Sequence, residues 1–131
     1  MLPSTPEPAP KSTPDAAAAA TLVIVLASGS TEAAQFALRY AATAAAMDVG
    51  VELHAISADA VARFGRTAAS PSLLVQIRQA AEFGVAVFVC PLALAEQGLR
   101  VEDLIEEVSG VRGAASLLEA ALAPGARLLN F

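Results

Sequence analysis

Short apolar runs alternate with segments of helical spacing along the chain from Thr21 onward. Residues 21–27 are a continuous run of β-branched and leucine side chains, the composition of a central strand. Residues 51–57 alternate and predict a second strand. Residues 85–89 lie between a glycine and a proline, the pattern of a strand buried on both faces of a parallel sheet. Weaker runs predict two further strands, over residues 108–111 and 126–131.

The segment after the first strand changes to helical periodicity. From Thr31 onward, apolar side chains recur at Phe36, Tyr40, Ala44 and Met47, and a glycine follows the last of them. This spacing predicts an amphipathic helix that returns across the sheet with this stripe in the core. The two strands and the helix between them form a β-α-β unit, which requires a right-handed crossover.

Two later segments predict longer helices. Ser70-Pro71 places a good N-cap before a proline at the first helical position. The helix that follows carries apolar side chains on one face, at Leu73, Leu74, Ile77 and Ala81. Residues 113–123 predict a last helix with four inward side chains, Leu117, Leu118, Ala121 and Leu122. Shorter helical stretches are predicted over residues 59–64, 92–97 and 102–107, the last with a solvated acidic face.

The order of these elements and the length of the chain predict one domain. Alternating strands and helices over residues 21–131 indicate an α/β fold, a single doubly wound three-layer domain with a mostly parallel four- or five-stranded sheet. Residues 1–20 carry five prolines and an alanine run, which predicts a disordered Pro/Ala-rich tail. The mean hydropathy of +0.59 is high. No run approaches the ~18 to 20 apolar residues that cross a bilayer, so we expect the surplus apolar surface to meet another subunit.

Charge and cysteine content exclude several classes of function. A net charge of -5 opposes nucleic-acid binding, because phosphate backbones are bound by clustered Lys and Arg. A single cysteine cannot form an internal disulfide, so a reducing, cytoplasmic location is the simpler interpretation. Residues 16–27 have the apolar character of a signal peptide. However, Glu7, Asp15 and several prolines precede them where a secretory leader is positively charged.

Cys90 is the main candidate for chemistry. It follows the predicted strand 85–89 directly, and the carboxyl edge of an open α/β sheet is where ligands bind. If Cys90 caps a short helix that starts at Pro91, the positive end of the helix dipole favours the thiolate, which is the nucleophilic form. A thiolate can attack a sulfane sulfur and hold it as a persulfide. The alternative is an inert, packed cysteine, since free cysteine is among the most buried residue types.

Other polar residues give weaker signals. His54, the only histidine, falls inside a predicted strand and is expected to be a core or sheet-face side chain rather than a partner of Cys90. One Cys and one His cannot build a zinc site from soft ligands, and no metal is predicted. Ser28-Gly29-Ser30-Thr31 resembles part of the phosphate loop of flavodoxins, which leaves FMN binding as a lesser alternative. The chain has no Trp and one Tyr to stack a flavin, so no cofactor is predicted.

The order and spacing of several motifs in the second half of the chain resemble the DsrE/DsrF-like family. The segments that carry the resemblance are Ile77-Arg78-Gln79-Ala80-Ala81-Glu82-Phe83-Gly84-Val85, Val89-Cys90-Pro91, Gly98-Leu99, Glu102-Asp103-Leu104-Ile105, Val111-Arg112-Gly113-Ala114 and the terminal Leu-Leu-Asn-Phe. Residues 21–57 fit the first β-α-β unit of the family. The resemblance implies a small α/β domain that assembles as a homotrimer or homohexamer. It also implies a sulfur-carrier role for the cysteine at the end of this strand, here Cys90.

Together these observations predict a cytoplasmic sulfur carrier or sulfurtransferase. Cys90 is expected to accept a sulfane sulfur from a donor and to pass it to the thiol of an acceptor protein. Ser28 and Ser30 are weaker candidates for lining the approach to Cys90, because the loop after the first strand opens at the same edge of the sheet. The alternative is a noncatalytic structural or interaction subunit of the same fold, in which Cys90 is packed. No nucleic acid or membrane partner is predicted.

Overall fold

The computed structural model describes residues 20–131, and the predicted tail lies outside the described residues except for Ala20. The strands are β1 (Thr21–Leu26), β2 (Gly50–Ala55), β3 (Ala86–Val89), β4 (Gly110–Val111) and β5 (Ala126–Asn130). The helices are α1 (Thr31–Ala46), α2 (Ala58–Ala62), α3 (Pro71–Glu82), α4 (Pro91–Glu96) and α5 (Ala114–Ala121). Only a 3-10 turn, Val101–Asp103, forms where a helix was predicted over residues 102–107.

Within residues 20–131, five strands form one sheet in the order β4-β3-β2-β1-β5, with every neighbouring pair parallel. The predicted α/β class and the parallel sheet are therefore confirmed. From β1 to β4 each new strand is added on the same side, and β5 then returns to the other side of β1. As a result β1 is an internal strand, and β4 and β5 are the two edges.

Strand alternation divides the buried side chains between two faces of the sheet. On one face, Leu53 and Ala55 of β2 and Val87 of β3 join a large apolar cluster with Leu38 of α1 and Ile77 of α3. We call this the α1/α3 face. The opposite positions carry the remaining buried side chains of the sheet, Val23, Val25, His54 and Phe88, and we call this the α5 face. The main core therefore lies between the sheet and the α1/α3 pair.

Helix α1 turns a different stripe to the sheet from the one that its large side chains predict. Its buried residues are Ala34, Ala37, Leu38 and Ala41. The predicted stripe was wrong, because Phe36, Tyr40 and Met47 are all exposed. Three of the four buried positions are alanines, and small side chains let the helix lie close to the sheet, where aromatic rings would hold it away. The Tyr40 ring instead stacks at the flank of the sheet on Phe131, with ring centroids 5.7 Å apart.

Helix α3 follows its prediction more closely. The hydroxyl of Ser70 accepts a hydrogen bond from the Leu73 amide at 3.3 Å, and Pro71 is the first helical residue. Leu73, Ile77 and Ala80 are buried, whereas Leu74 and Ala81 are half-buried at the margin of the same face. The predicted face is therefore right to within one residue at its C-terminal end.

Helix α5 covers its face of the sheet only loosely. It ends at Ala121, earlier than predicted, and none of its side chains is buried by the described residues. The predicted inward positions were wrong for Leu118 and Leu122, which are 57% and 81% exposed. On the neighbouring edge strand, Leu128 and Leu129 are exposed as well. These four leucines, Leu118, Leu122, Leu128 and Leu129, are together called the apolar edge below, although Leu128 and Leu129 point to opposite faces of the edge strand.

Along residues 20–131, none of the helices combines the length and the apolar content that a bilayer crossing requires.

Candidate functional site

Cys90 lies where β3 ends at the carboxyl edge of the sheet. Its amide donates to the Ala55 carbonyl at 3.0 Å, which extends the β2–β3 ladder by one step. Pro91 then begins α4, and the Leu94 amide donates back to the Cys90 carbonyl at 2.9 Å. The main chain at this position is thus held from both sides, while the side chain is half-buried.

The cysteine occupies the N-cap position of α4, but its side chain makes no capping hydrogen bond. The sequence predicted that the sulfur would cap the free N–H groups of this helix, but no such hydrogen bond forms. The helix has only six residues, and most of the side chains around the sulfur come from the neighbouring strands and the start of α5.

The register of the sheet places three side chains beside Cys90. Ala55 pairs with Val89, so Ile56 is the next position on the β2 side. Val89 also pairs with Val111, and the Arg112 amide donates to the Val89 carbonyl at 3.0 Å, so Arg112 flanks Cys90 on the β4 side. His54 lies two residues before Ile56 on β2, so strand alternation puts it on the same α5 face.

These side chains surround a cavity of about 230 Å³. Its lining residues come from β2 and the position after it, the ends of β3 and β4, and the start of α5: His54, Ile56, Cys90, Arg112, Gly113, Ala114 and Leu117. The walls are mainly apolar, with one thiol, one imidazole and one guanidinium among them. Cavities that bind drug-sized ligands usually measure about 300–1,000 Å³, so this one suits a smaller molecule.

A charged cluster, defined as Glu52, His54 and Arg112, lies beside the cavity. His54 is 2% exposed, and its Nε2 lies 3.0 Å from Glu52 Oε1. Arg112 Nη1 lies 3.9 Å from the same oxygen. When Glu52 is ionised, His54 Nε2 is the donor in the shorter contact, so the proton of a neutral ring sits on Nε2. Glu52 therefore positions the imidazole and partly balances the guanidinium.

The Phe88 ring packs against two members of this cluster, Arg112 and His54. The Arg112 Cζ lies 4.0 Å from the centroid of the Phe88 ring, a cation–π distance. The His54 ring packs against Phe88 with centroids 5.2 Å apart. Both polar side chains thus rest on one buried aromatic ring, which fixes their positions next to the cysteine. His54 is buried on the sheet face as predicted, but it shares a cavity with Cys90, which the sequence did not indicate.

Ser28 and Ser30 have local structural partners. Ser30 caps α1, because its hydroxyl accepts from the Ala33 amide at 3.0 Å. The Ser28 hydroxyl accepts from the Ser30 amide at 3.2 Å. Within the described chain, neither serine lines the Cys90 cavity. Gly29 between them lies against α2, where a Cβ would overlap the Cβ of Asp59. The role of the two serines along an approach to Cys90 stays a prediction.

Across residues 20–131, His, Cys, Asp and Glu side chains nowhere gather in threes that could hold a metal ion. The acidic residues of the second half are placed individually. Asp103 accepts from the Arg100 amide at 2.9 Å, and Glu107 pairs with Arg78 at 3.2 Å, whereas Glu102 and Glu106 are exposed. They therefore do not form the single solvated helix face that their spacing predicts.

Comparison with known proteins places the chain in a family. The model of the DsrE/DsrF-like family matches residues 19–131. The chain belongs to the DsrE/DsrF-like family. This confirms the resemblance drawn from the motifs around Cys90. No curated protein matches the chain.

Solved structures show the same DsrE/DsrF-like fold. The ychN protein from E. coli superposes with a TM-score of 0.72 at 21% identity, covering 86% of this chain and 99% of its own. A protein described as of unknown function, MTH1491 from Methanobacterium thermoautotrophicum, gives a TM-score of 0.66 at 14% identity, with coverages of 86% and 99%. BT1422 from Bacteroides thetaiotaomicron gives 0.51 at 14% identity, with coverages of 84% and 94%. At these identities the likeness concerns the fold.

Sequence reasoning placed the cysteine of this DsrE/DsrF-like domain at the sheet edge but missed its neighbours. Arg112 appeared only within a family motif, and Glu52 had no role assigned. One available signal was strand alternation, because Glu52, His54 and Ile56 are every second residue and so share one face of a strand. Using that signal requires knowing that β2 and β4 both flank β3, which the structure supplies.

Proposed function

We propose that this DsrE/DsrF-like protein is a sulfur carrier that holds a persulfide on Cys90 and passes it to the thiol of an acceptor protein. Family membership suggests a role in sulfur relay. The observation that carries the finer proposal is the half-buried Cys90 thiol in a small cavity beside a histidine and an arginine. We also propose a cytoplasmic location, because a carrier thiol needs a reducing compartment.

The proposed reaction is a thiol exchange without net oxidation. The Cys90 thiolate attacks the outer sulfur of a donor persulfide, a new S–S bond forms, and the donor thiolate leaves with the electron pair of the broken bond. In the second half, an acceptor thiolate attacks the outer sulfur now held on Cys90. Cys90 thiolate leaves, and the carrier returns to its starting state.

The surroundings of Cys90 suit both halves of this cycle. The main chain of Cys90 is fixed by hydrogen bonds to the Ala55 carbonyl and from the Leu94 amide. The side chain that carries the sulfur is therefore attached at a fixed backbone position. Ile56 and Leu117 supply apolar walls, which limit hydrolysis and side reactions of a bound persulfide. The nearby guanidinium and imidazole place positive or proton-accepting groups beside a sulfur that is anionic in its reactive form.

The second candidate is an interaction subunit in which Cys90 does no chemistry. It is favoured by the apolar edge, whose four leucines are exposed on the outermost strand and its neighbouring helix. The outer side of β5 also has no strand partner within residues 20–131, and an open strand edge invites pairing. We propose that further copies of the chain cover this surface, in a homotrimer or homohexamer. Such an assembly is compatible with either function.

Intact-protein mass spectrometry tests the carrier function. The reduced protein is incubated with polysulfide or thiosulfate and then weighed. We expect a gain of one or more sulfur atoms that dithiothreitol removes and that the Cys90→Ser variant does not acquire. An adduct that persists in Cys90→Ser would place the chemistry elsewhere.

Thiol labelling of the folded protein separates the two candidates. A carrier thiol reacts with iodoacetamide at neutral pH in the native state. A packed thiol reacts only after unfolding in denaturant, and that result, together with no sulfur adduct, would support the interaction subunit instead. Comparing the native rate with the rate in denaturant provides the internal reference.

A further inference from the structure

The position of Arg112 points beyond a carrier that accepts sulfur from any donor. We propose that Arg112 makes the Cys90 cavity selective for small anionic donors, in which a sulfane sulfur is attached to an oxyanion. This inference rests on the proposed function of Cys90, since it names the class of donor that the same cavity accepts. Four observations carry it: the place of the guanidinium, its free donors, the size of the cavity, and the electron balance of the transfer.

The guanidinium is held in place by an aromatic ring rather than by hydrogen bonds. It lies over Phe88, 4.0 Å from the ring centroid, and lines the same cavity as Cys90. Within residues 20–131 its side chain makes no hydrogen bond, and its one ion pair, to Glu52, is a loose 3.9 Å. Since a guanidinium carries five N–H donors, Arg112 presents donors that an incoming anion can use.

Glu52 does not neutralise this charge by a close contact. Its Oε1 is 3.0 Å from His54 Nε2 but 3.9 Å from Arg112 Nη1. The carboxylate is thus engaged mainly with the histidine. Arg112 is 46% exposed and Glu52 27% exposed, so the guanidinium is also the more accessible of the two groups. A mobile anion meets the positive group first.

The cavity restricts the donor by size. About 230 Å³ with apolar walls admits an anion of a few heavy atoms, whereas a flavin or another drug-sized ligand needs a larger space. A guanidinium matches an oxyanion geometrically, because two parallel N–H donors meet two oxygens. The sulfane sulfur of such a donor can then face Cys90 while the oxygens face Arg112.

The transfer from such a donor balances without an added oxidant. With thiosulfate as the example, the Cys90 thiolate attacks the outer sulfur and the S–S bond of thiosulfate breaks. Sulfite leaves with the electron pair, and Cys90 carries the persulfide. The negative charge that develops on the leaving oxyanion lies next to Arg112, where a fixed positive charge stabilises it.

Two alkylating probes that differ only in charge test this selectivity. Iodoacetate is anionic and iodoacetamide is neutral, and both alkylate the Cys90 thiolate through their methylene carbon with loss of iodide. The ratio of their rates cancels any change in the reactivity of the thiol. We expect the wild-type ratio to exceed that of free glutathione, and added salt to lower it towards that of glutathione.

The variants separate charge from structure. Arg112→Gln should lower the rate ratio about fivefold, and Arg112→Lys should retain most of it. Arg39→Gln is the matched control, because the Arg39 guanidinium also lies over a phenylalanine, 5.2 Å from the Phe36 centroid. An unchanged ratio in Arg112→Gln, or an equal loss in Arg39→Gln, would overturn the proposal. If Arg112→Gln does not fold, a wild-type ratio equal to that of glutathione at low salt overturns it.

Failure of this inference is distinguishable from failure of the carrier function. If polysulfide gives a persulfide on Cys90 but the rate ratio matches glutathione, the carrier function stands and the donor class is wrong. If the rate ratio is high but neither thiosulfate nor polysulfide leaves a sulfur on Cys90, the cavity selects anions and the carrier function is wrong.

Discussion

The two faces of the sheet are built in opposite ways. The α1/α3 face packs strands and two long helices around a continuous apolar cluster that includes Leu38, Leu53 and Ile77. The α5 face holds the buried His54 and the Arg112 guanidinium, which lies over Phe88. The helix on this face, α5, has no buried side chain within the described residues. The α1/α3 face thus buries most of the apolar side chains, and the α5 face carries the polar groups and the open surface.

This division would allow a small domain to keep a reactive site of the kind proposed for Cys90. Burying His54 costs free energy unless its polar atoms are paired, and the Glu52 carboxylate supplies that pairing at 3.0 Å. The α5 face can carry such groups and a cavity because the apolar cluster on the other side does not depend on them. The predictions below test whether stability and reactivity are separated in this way.

The largest expected effect is on stability from the α1/α3 face. Ile77 on α3 is fully buried, so Ile77→Ala should lower the free energy of unfolding by about 3 kcal/mol. Val75 on the same helix is 64% exposed, and Val75→Ala should change it by less than about 0.5 kcal/mol. Urea unfolding monitored by circular dichroism measures both. Similar losses from the two variants would contradict this account of the core.

The next effect concerns association through the apolar edge. Leu122 is 81% exposed, and Leu122→Lys should shift the protein to a smaller species in size-exclusion chromatography with light scattering, because a charge cannot enter an apolar interface without a partner. Monomer stability should stay within about 0.5 kcal/mol. Val75→Lys on the opposite side is the control. A wild-type protein that is monomeric at high concentration would rule out the proposed assembly.

The smallest expected effect separates charge from packing on the α5 face. Glu52→Gln keeps an oxygen acceptor for His54 Nε2 but removes the negative charge near Arg112, so the iodoacetate-to-iodoacetamide ratio should rise about twofold. Stability should change by less than about 1 kcal/mol. Glu107→Gln, whose carboxylate pairs with Arg78 outside the cavity, should leave the ratio unchanged. A ratio that falls in Glu52→Gln would show that Glu52 acts by positioning Arg112.

The sequence predicted the strands well because their side chains leave few alternatives. The β-branched run in β1 and the buried run in β3 have no periodicity that suits a helix exposed to water. Cys90 could be placed at the carboxyl edge because it follows the strand directly and a proline comes next. In parallel sheets that edge collects functional groups whatever the sequence of the rest of the domain.

The errors in the helices have a common physical cause. In α1 the large side chains Phe36 and Tyr40 dominate the periodicity, but alanines face the sheet, and alanine gives little signal in a chain so rich in it. In α5 the leucines at 118 and 122 face outward, as expected if the proposed assembly covers them. The sequence of one chain does not reveal which face of these helices is buried, because that depends on how closely the helix approaches the surface that covers it.

The candidate site was only partly predictable for a different reason. Arg112 is brought to the cavity of Cys90 by the pairing of β3 with β4, a strand of two residues. The residues are 22 positions apart in the sequence, and no local pattern links them. The position of a nucleophile follows from its own strand, whereas its surroundings follow from strand order.

The backbone of Cys90 is tied down by a sheet hydrogen bond on one side and a helical one on the other, whereas its sulfur has no capping bond. A second sulfur bound there would therefore move by rotation about two bonds, Cα–Cβ and Cβ–Sγ, while the main chain stays in place. If Cys90 carries sulfur as proposed, rotation of this side chain alone would present the sulfur to donor and acceptor, without movement of the fold.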